Sequence, residues 1–140
     1  MQSLRDFFAT NDHFARHCGI ELLEAAAGRA KACMVIQPCH LNGAKTVHGG
    51  AIFTLADFTF AVAANSSGQL SLAINATTSF VKAARGGTLY AMAEEIAMNR
   101  RLGSFQVRVV NQRDELIAIF HGTAYRKDEQ LFNPAQEISP

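Results

Sequence analysis

The longest apolar stretch of the chain lies near its middle and predicts a buried helix. Gly49-Gly50 opens this stretch, and apolar side chains follow at nearly every position to about Ala64. The next residues, Asn65-Ser66-Ser67-Gly68, contain the asparagine and glycine that commonly end a helix. Because the stretch has no continuous polar stripe, other parts of the protein must cover most of its surface. We expect one helix at the centre of the fold.

Four long runs after this helix are rich in β-favouring residues and are separated by turn residues: 70–82, 87–98, 103–111 and 115–126. Within the third run, Phe105, Val107 and Val109 alternate with Gln106 and Arg108. This alternation is typical of a sheet that is covered on one face. We therefore predict successive antiparallel strands that curl around the helix, which is an α+β architecture.

The two ends of the chain carry their own patterns. Residues 1–17 have helix-like spacing with a break or cap at Asn11-Asp12, and 20–36 predicts a hairpin. The polar tail, 127–140, is predicted to be frayed. The whole chain, residues 1–140, has the size of a single domain.

Composition narrows the class of protein. Hydrophobic residues make up 49% of the chain and charged residues 18%, and the formal net charge is +1, so a basic field for nucleic acid is lacking. No uninterrupted apolar span suits a membrane, and the first residues lack the regions of a secretory signal. Cys18, Cys33 and Cys39 have neither disulfide nor zinc-ligand spacing, so we interpret them as core-filling thiols. We expect a cytoplasmic protein that binds no metal, no nucleic acid and no membrane.

One charged residue, Asp57, lies within the apolar helix. It is the only formally charged residue among the 36 between Lys45 and Lys82. Burying an ionised carboxylate is costly unless partners compensate, and no Lys or Arg lies within two helical turns of it. Asp57 is therefore the leading catalytic candidate. The alternatives are an N–H or hydroxyl partner elsewhere in the fold and an ion pair across a subunit interface.

The loop before the helix offers further candidates. A helix N-terminus presents unpaired N–H groups and a partial positive charge, and Gly49 and Gly50 would let a substrate oxygen approach those amides closely. Such a geometry forms an oxyanion hole. The simpler interpretations are a tight turn at the glycines, a hydrogen-bonding loop role for His48 and a turn role for Asn42. The local sequence leaves these alternatives open.

The spacing between His48 and Asp57 bears on the assembly. Nine helical residues advance about 13.5 Å and rotate by about 900°, which is half a turn beyond two full turns. We therefore expect the two side chains of one chain to face opposite ways. If both act on one substrate, Asp57 must come from a second subunit, and the open edges of the sheet favour such pairing.

Several of these motifs together resemble the hotdog-fold acyl-CoA thioesterases, specifically the phenylacetyl-CoA thioesterase type. The motifs are Leu41-Asn42-Gly43, Val47-His48-Gly49-Gly50, Leu55-Ala56-Asp57 and Ala64-Asn65-Ser66-Ser67-Gly68. The resemblance continues into Thr78-Ser79-Phe80, Val109-Val110-Asn111 and Ala118-Ile119-Phe120-His121-Gly122, and covers most of residues 17–126. It implies a helix wrapped by a curved antiparallel sheet. It also implies two subunits that form one continuous sheet, a homodimer as the minimal active unit, and pairing of dimers into a homotetramer.

The resemblance implies a role for each candidate. Asp57 matches the catalytic carboxylate, which acts as general base on water or as nucleophile on the thioester carbonyl. The Gly49 amide, supported by Gly50, matches the oxyanion contact. His48 and Asn42 match side chains that orient the thioester and the water from the neighbouring chain.

Substrate contacts are expected from apolar and basic side chains. Phe53, Phe58 and Phe60 offer apolar walls for an acyl group, and Lys82 and Arg85 are candidates for the CoA phosphates. Three further basic residues could also meet phosphate, although most of these charges have a simpler interpretation as surface residues: Arg100, Arg101 and Arg126.

The chain departs at two places from the pattern of the family that it resembles. The segment 80–86 lacks the Arg-Pro-Gly turn that relatives often have, and Ala73 stands where some related thioesterases place a serine on the strand after the helix. The resemblance implies hydrolysis of an aryl-acetyl or medium-chain acyl-CoA, as in phenylacetate degradation. Coenzyme A is then part of the substrate, and no separate cofactor is expected. The alternative is a hotdog protein that senses acyl-CoA without hydrolysing it; a hotdog dehydratase is disfavoured by the arrangement of His48 and Asp57.

Overall fold

Two short helices begin the chain, as predicted. The computed structural model describes residues 2–131. Helix α1 spans Gln2–Asn11 and helix α2 spans His13–His17. Asp12 separates them and caps α2, because its carboxylate accepts a hydrogen bond from the Ala15 N–H at 3.1 Å.

A β-hairpin and a loop lead into the central helix. Strands β1 (Ile20–Ala26) and β2 (Arg29–Val35) pair antiparallel, and Gly28 adopts the left-handed conformation in their turn, with φ of 70°. Residues Pro38–His40 then form a single 3₁₀ turn. This part of the chain confirms the predicted hairpin.

Helix α3 spans Gly49–Ala64 and forms the centre of the fold, as predicted. Leu55, Ala56 and Val62 are fully buried. One stripe of the helix stays uncovered, and its residues are exposed or half-buried: Gly50, Phe53, Thr54, Asp57 and Ala61. Helix α3 therefore has a partly exposed face, most of which is apolar.

The four predicted long strands are all present and complete the sheet. Their bounds are β3 Gln69–Phe80, β4 Thr88–Met98, β5 Leu102–Val110 and β6 Leu116–Gln130. All pairs in the six-stranded sheet are antiparallel, in the order β1-β2-β4-β5-β6-β3. Phe105, Val107 and Val109 are fully buried on the face toward α3, which confirms the predicted alternation. The sheet therefore covers the helix on one side only.

The strand order and the end of the last strand go beyond what the sequence predicted. Strands β4, β5 and β6 pair in succession, whereas β3 pairs with β6 at the far edge and β2 lies beside β4. The tail is also ordered further than predicted, because β6 continues to Gln130 and the Lys127 carbonyl accepts a hydrogen bond from the Gln69 side chain at 2.6 Å. Backbone pairing with β3 holds these polar residues in a strand. The rest of the predicted frayed tail, 132–140, lies outside the described residues.

Strand β3 forms one edge of the sheet and is exposed on both faces. Leu72, Ile74 and Phe80 have exposed fractions of 50%, 60% and 55%. Phe80 lies beside Gly49, because a Cβ added to that glycine would meet its ring at 3.2 Å. The uncovered stripe of α3 therefore begins beside this apolar edge strand.

Of the three cysteines, only Cys33 is buried. The prediction that the thiols fill the core is therefore confirmed for one of them.

Candidate functional site

The start of α3 is organised around the imidazole of His48. His48 is the N-cap, and its Nδ1 atom accepts a hydrogen bond from the Gly50 N–H at 2.8 Å. Within residues 2–131 the Gly49 N–H donates to no other group. Gly49 therefore presents the unpaired amide expected at a helix N-terminus, whereas the Gly50 amide is already engaged.

This hydrogen bond also decides which nitrogen of His48 can donate. An imidazole nitrogen that accepts from a backbone N–H carries no proton, so in the neutral ring the proton lies on Nε2. His48 is exposed, and its Nε2–H is available to an incoming ligand. The helix start thus offers two donors, the Gly49 amide and the His48 Nε2–H.

Asn42 is committed largely to its own loop. Its Oδ1 accepts from the N–H groups of Ala44 and Thr46 at 3.0 and 3.2 Å, and its Nδ2 donates to the Thr46 hydroxyl at 2.9 Å. The turn role considered for this residue is therefore present. An amide nitrogen has two protons, so one Nδ2–H remains beyond these contacts.

Asp57 is half-buried on the uncovered stripe of α3. Its pKa is raised above the ordinary carboxyl value, chiefly by burial and secondarily by the negative charge of Asp12. Among the described residues its carboxylate forms no hydrogen bond or ion pair. A partner within the chain, the first alternative considered for this charge, is therefore not found in residues 2–131.

The carboxylate and the unpaired amide do not meet within one chain. Asp57 lies eight residues beyond Gly49, which corresponds to about 12 Å along a helix axis. Gly50 and Asp57 are seven residues apart and share the uncovered stripe. That the His48 and Asp57 side chains face opposite ways stays a prediction. The distance along the helix axis therefore keeps the Asp57 carboxylate away from the Gly49 amide of the same chain.

The three aromatic candidates do not share one surface of α3. Phe60 is buried in the core, with 2% of its surface exposed. Phe53, 37% exposed, belongs to the uncovered stripe and contacts Phe120 at a centroid distance of 5.5 Å. Phe58 is buried and contacts Phe8 of α1 at 5.8 Å. Phe58 also lines a cavity of about 360 Å³ beside the N-terminal helices. The Phe53 and Phe58 rings therefore lie on different surfaces of the helix and cannot form one wall.

Two of the basic candidates, Lys82 and Arg85, lie together at one cavity. Lys82 and Arg85 line a cavity of about 520 Å³ with Arg113, and Lys82 pairs with Glu115. The Val47 N–H donates to the Ala84 carbonyl at 2.8 Å, which ties this loop to the start of α3. The loop that carries Lys82 and Arg85 therefore contacts the chain two residues before Gly49.

Two of the other basic residues serve the fold. Arg101 pairs with Asp128 at 2.9 Å, and Arg126 donates to the Asn99 carbonyl at 2.9 Å. These side chains hold the β5 and β6 ends together. Their simpler interpretation as structural or surface charges is the one that the contacts support.

Three polar residues near the site escaped the sequence reasoning. Asp12 was recognised only as a helix cap, although it faces Asp57 closely enough to raise the pKa of that carboxyl. The Thr78 hydroxyl is buried without a hydrogen-bond partner in the described part of the chain. Arg113 lines the basic cavity together with Arg85. Only tertiary contacts reveal these neighbours, since each is distant in sequence from the motifs.

Within residues 2–131 no group of three His, Cys, Asp or Glu side chains could hold a metal ion.

Comparison with known proteins decides the family. The model of the thioesterase superfamily matches residues 44–118, which include the loop before α3, the helix itself and strands β3 to β5. The chain belongs to the thioesterase superfamily. A putative esterase from Archaeoglobus fulgidus is 38% identical over 132 residues, covering 94% of this chain and 86% of the relative. The acyl-coenzyme A thioesterase PaaI of Escherichia coli is 34% identical, covering 83% of this chain and 84% of the relative.

A solved structure supports the same assignment. The E. coli PaaI protein from the phenylacetic acid degradation operon matches with a TM-score of 0.89 and 31% identity, covering 92% of this chain and 94% of that chain. The predicted hotdog fold and the predicted membership of the thioesterases are confirmed. Among the described helices, none is both long and apolar enough to cross a membrane.

Proposed function

We propose that this acyl-CoA thioesterase cleaves aryl-acetyl or medium-chain acyl-CoA into a free acid and coenzyme A, at a site built by two chains. The observation that carries the proposal is the pair of unsatisfied groups on one helix. In the described part of the chain, residues 2–131, the Asp57 carboxylate and the Gly49 amide have no partner, and about 12 Å separates them along the axis. A second copy of the helix would bring both to one substrate.

A two-fold axis gives the required arrangement. When the two-fold axis is perpendicular to α3, the two helices of the dimer run antiparallel, so a residue near the axis lies opposite itself. Phe53 is midway between Gly49 and Asp57 and lies on the uncovered stripe. An axis near Phe53 would place Asp57 of one chain level with the Gly49 amide of the other. Pairing of β3 edges, with their exposed Leu72 and Ile74 side chains, would supply the interface.

The chemistry follows from these groups. The Asp57 carboxylate takes a proton from water while the water oxygen bonds to the thioester carbonyl carbon. Negative charge then develops on the carbonyl oxygen, where the Gly49 N–H and the His48 Nε2–H would stabilise it. Collapse of this intermediate breaks the carbon–sulfur bond, and the leaving thiolate takes the proton that Asp57 received from water. Direct attack by the carboxylate, through an anhydride that water then hydrolyses, uses the same groups.

A raised pKa suits the proposed role of Asp57. Burial makes the carboxylate a stronger base than an exposed one, which favours proton abstraction near neutral pH. The Asn42 Nδ2–H is a further donor toward substrate or water from the same loop as His48. Arg85 and Arg113, with the paired Lys82 beside them, are proposed to receive the CoA phosphates.

Thiol release from a panel of acyl-CoA substrates tests the function. We expect the wild-type protein to release CoA and Asp57→Asn to lose nearly all turnover while keeping its far-UV circular dichroism. Asp6→Asn removes an exposed carboxylate from α1 and is the matched control, expected to retain wild-type rates. Binding of acyl-CoA without thiol release by the wild-type protein would favour the sensing alternative instead.

Complementation tests the two-chain site. Asp57→Asn and His48→Ala should each be nearly inactive alone. Mixed dimers contain one site with both native groups, so random reassociation should restore about a quarter of wild-type sites. If mixing restores no activity although mixed dimers form, Asp57 and His48 do not act together across the interface.

A further inference from the structure

A cavity lies between the N-terminal helices, strand β1 and helix α3. Its volume is about 360 Å³, within the range of small-molecule sites. Much of its wall is apolar and includes Phe8 and Ala9 of α1, Ile20 of β1 and Phe58 of α3. The guanidinium of Arg5, also in the lining, donates to the Leu22 and Leu23 carbonyls at 2.7 and 2.9 Å. These bonds hold α1 against β1, so the cavity has a fixed wall.

The cavity reaches helix α3 one residue beyond Asp57. Phe58 directly follows the carboxylate in α3, and its ring packs edge-on against Phe8 at a centroid distance of 5.8 Å. Asp12, at the α1–α2 corner, lines the cavity and lies close enough to Asp57 for its charge to act on that carboxylate. An acyl group whose carbonyl is beside Asp57 therefore has an apolar space within reach on this side of the helix.

We propose that this cavity binds the distal part of the acyl group, so that helices α1 and α2 set the acyl selectivity of the enzyme. The proposal rests on the thioesterase function proposed above and assigns the ligand class as uncharged aryl or medium-chain acyl groups. Each buried methylene increases affinity by roughly fourfold, so an apolar pocket of this kind favours longer acyl groups over short ones. Ala9 is the position that controls the space, because its small side chain lines the cavity from an exposed turn of α1.

Filling the cavity tests the proposal. Ala9→Phe is expected to lower the ratio of kcat/KM for octanoyl-CoA to that for butyryl-CoA by at least about tenfold, and to lower the phenylacetyl-CoA ratio similarly. Ala9→Leu should give a smaller change in the same direction. Thr10→Phe is the matched control: it adds the same ring at the next exposed residue of α1, which does not line the cavity, and should leave both ratios unchanged.

Two outcomes would overturn the proposal. One is an unchanged ratio in folded Ala9→Phe and Ala9→Leu proteins, and the other is an equal change in Thr10→Phe. If the wild-type protein hydrolyses no acyl-CoA, the proposed function fails. Binding of acyl groups in the cavity is then tested separately, by calorimetry with non-hydrolysable butyl- and octyl-CoA thioethers. Selective weakening of octyl-CoA binding by Ala9→Phe supports the acyl site; parallel or undetectable binding overturns it.

Discussion

Replacing Gly50 with alanine tests whether the imidazole of His48 is held in place for catalysis. A Cβ at position 50 would lie 2.9 Å from His48 Nδ1 and 3.3 Å from its Cε1, which is too close for the ring to stay where it is. The ring must move, and the 2.8 Å hydrogen bond from the Gly50 N–H to Nδ1 would be lost or distorted. The Gly49 amide keeps its position, so the substitution affects one of the two proposed oxyanion donors.

The expected loss can be estimated from that geometry. Removing one oxyanion donor outright costs about 3–4 kcal/mol of transition-state stabilisation. Gly50→Ala displaces the donor without deleting it, so we expect a decrease in kcat/KM of about 10- to 100-fold, equivalent to about 1.4–2.7 kcal/mol. The lost hydrogen bond should lower the free energy of unfolding by only about 1 kcal/mol. Thiol release from acyl-CoA measures the first quantity, and urea unfolding measures the second.

A control and a double-mutant cycle make this test specific. Gly43→Ala is the matched control, because a Cβ there meets no atom within 4 Å, and it should leave activity unchanged. In the His48→Ala background, Gly50→Ala should cause no further loss, since the ring it displaces is already gone. Equal losses from Gly50→Ala with and without His48, or no loss at all, would refute the reasoning.

Three further predictions concern stability and assembly. Asn65→Ala removes a buried side chain that bonds both the N–H and the carbonyl of Ser71, at 2.8 and 3.1 Å, and should cost about 2–4 kcal/mol in urea unfolding, whereas exposed Ser67→Ala should not. Because the folded-state pKa of Asp57 is raised, its ionised form opposes folding above that pKa. Asp57→Asn should therefore raise Tm at neutral pH, and this gain should fade as pH falls through the raised pKa; a constant gain would contradict the assignment. Ile74→Lys on exposed β3 should weaken the proposed dimer in analytical ultracentrifugation and lower activity with it, and wild-type association would argue against this edge.

The local features of the fold could be predicted because short-range physics determines them. Apolar residues from Gly49 to Ala64, followed by Asn65, suffice to place α3, and the alternation around Phe105 suffices to place a strand with one buried face. Asp57 was identifiable because a lone carboxylate in such a helix is costly at any position in a core. The motif at His48 and Gly49 then indicated the family, which the comparisons confirm.

Strand order and the surroundings of each candidate depended on tertiary structure. β3 pairs with β6 and not with β4, the next strand along the chain. How the connections run determines which strands become neighbours, and the residue pattern within one strand does not indicate its neighbour. The same holds for Asp12, which comes near Asp57 only because α1 and α2 pack on α3 and β1. By itself the sequence determined where the helix lies and that its single charge needed an explanation. Only the packed structure decided that no partner for Asp57 lies within residues 2–131, because contacts between distant segments determine what surrounds a side chain.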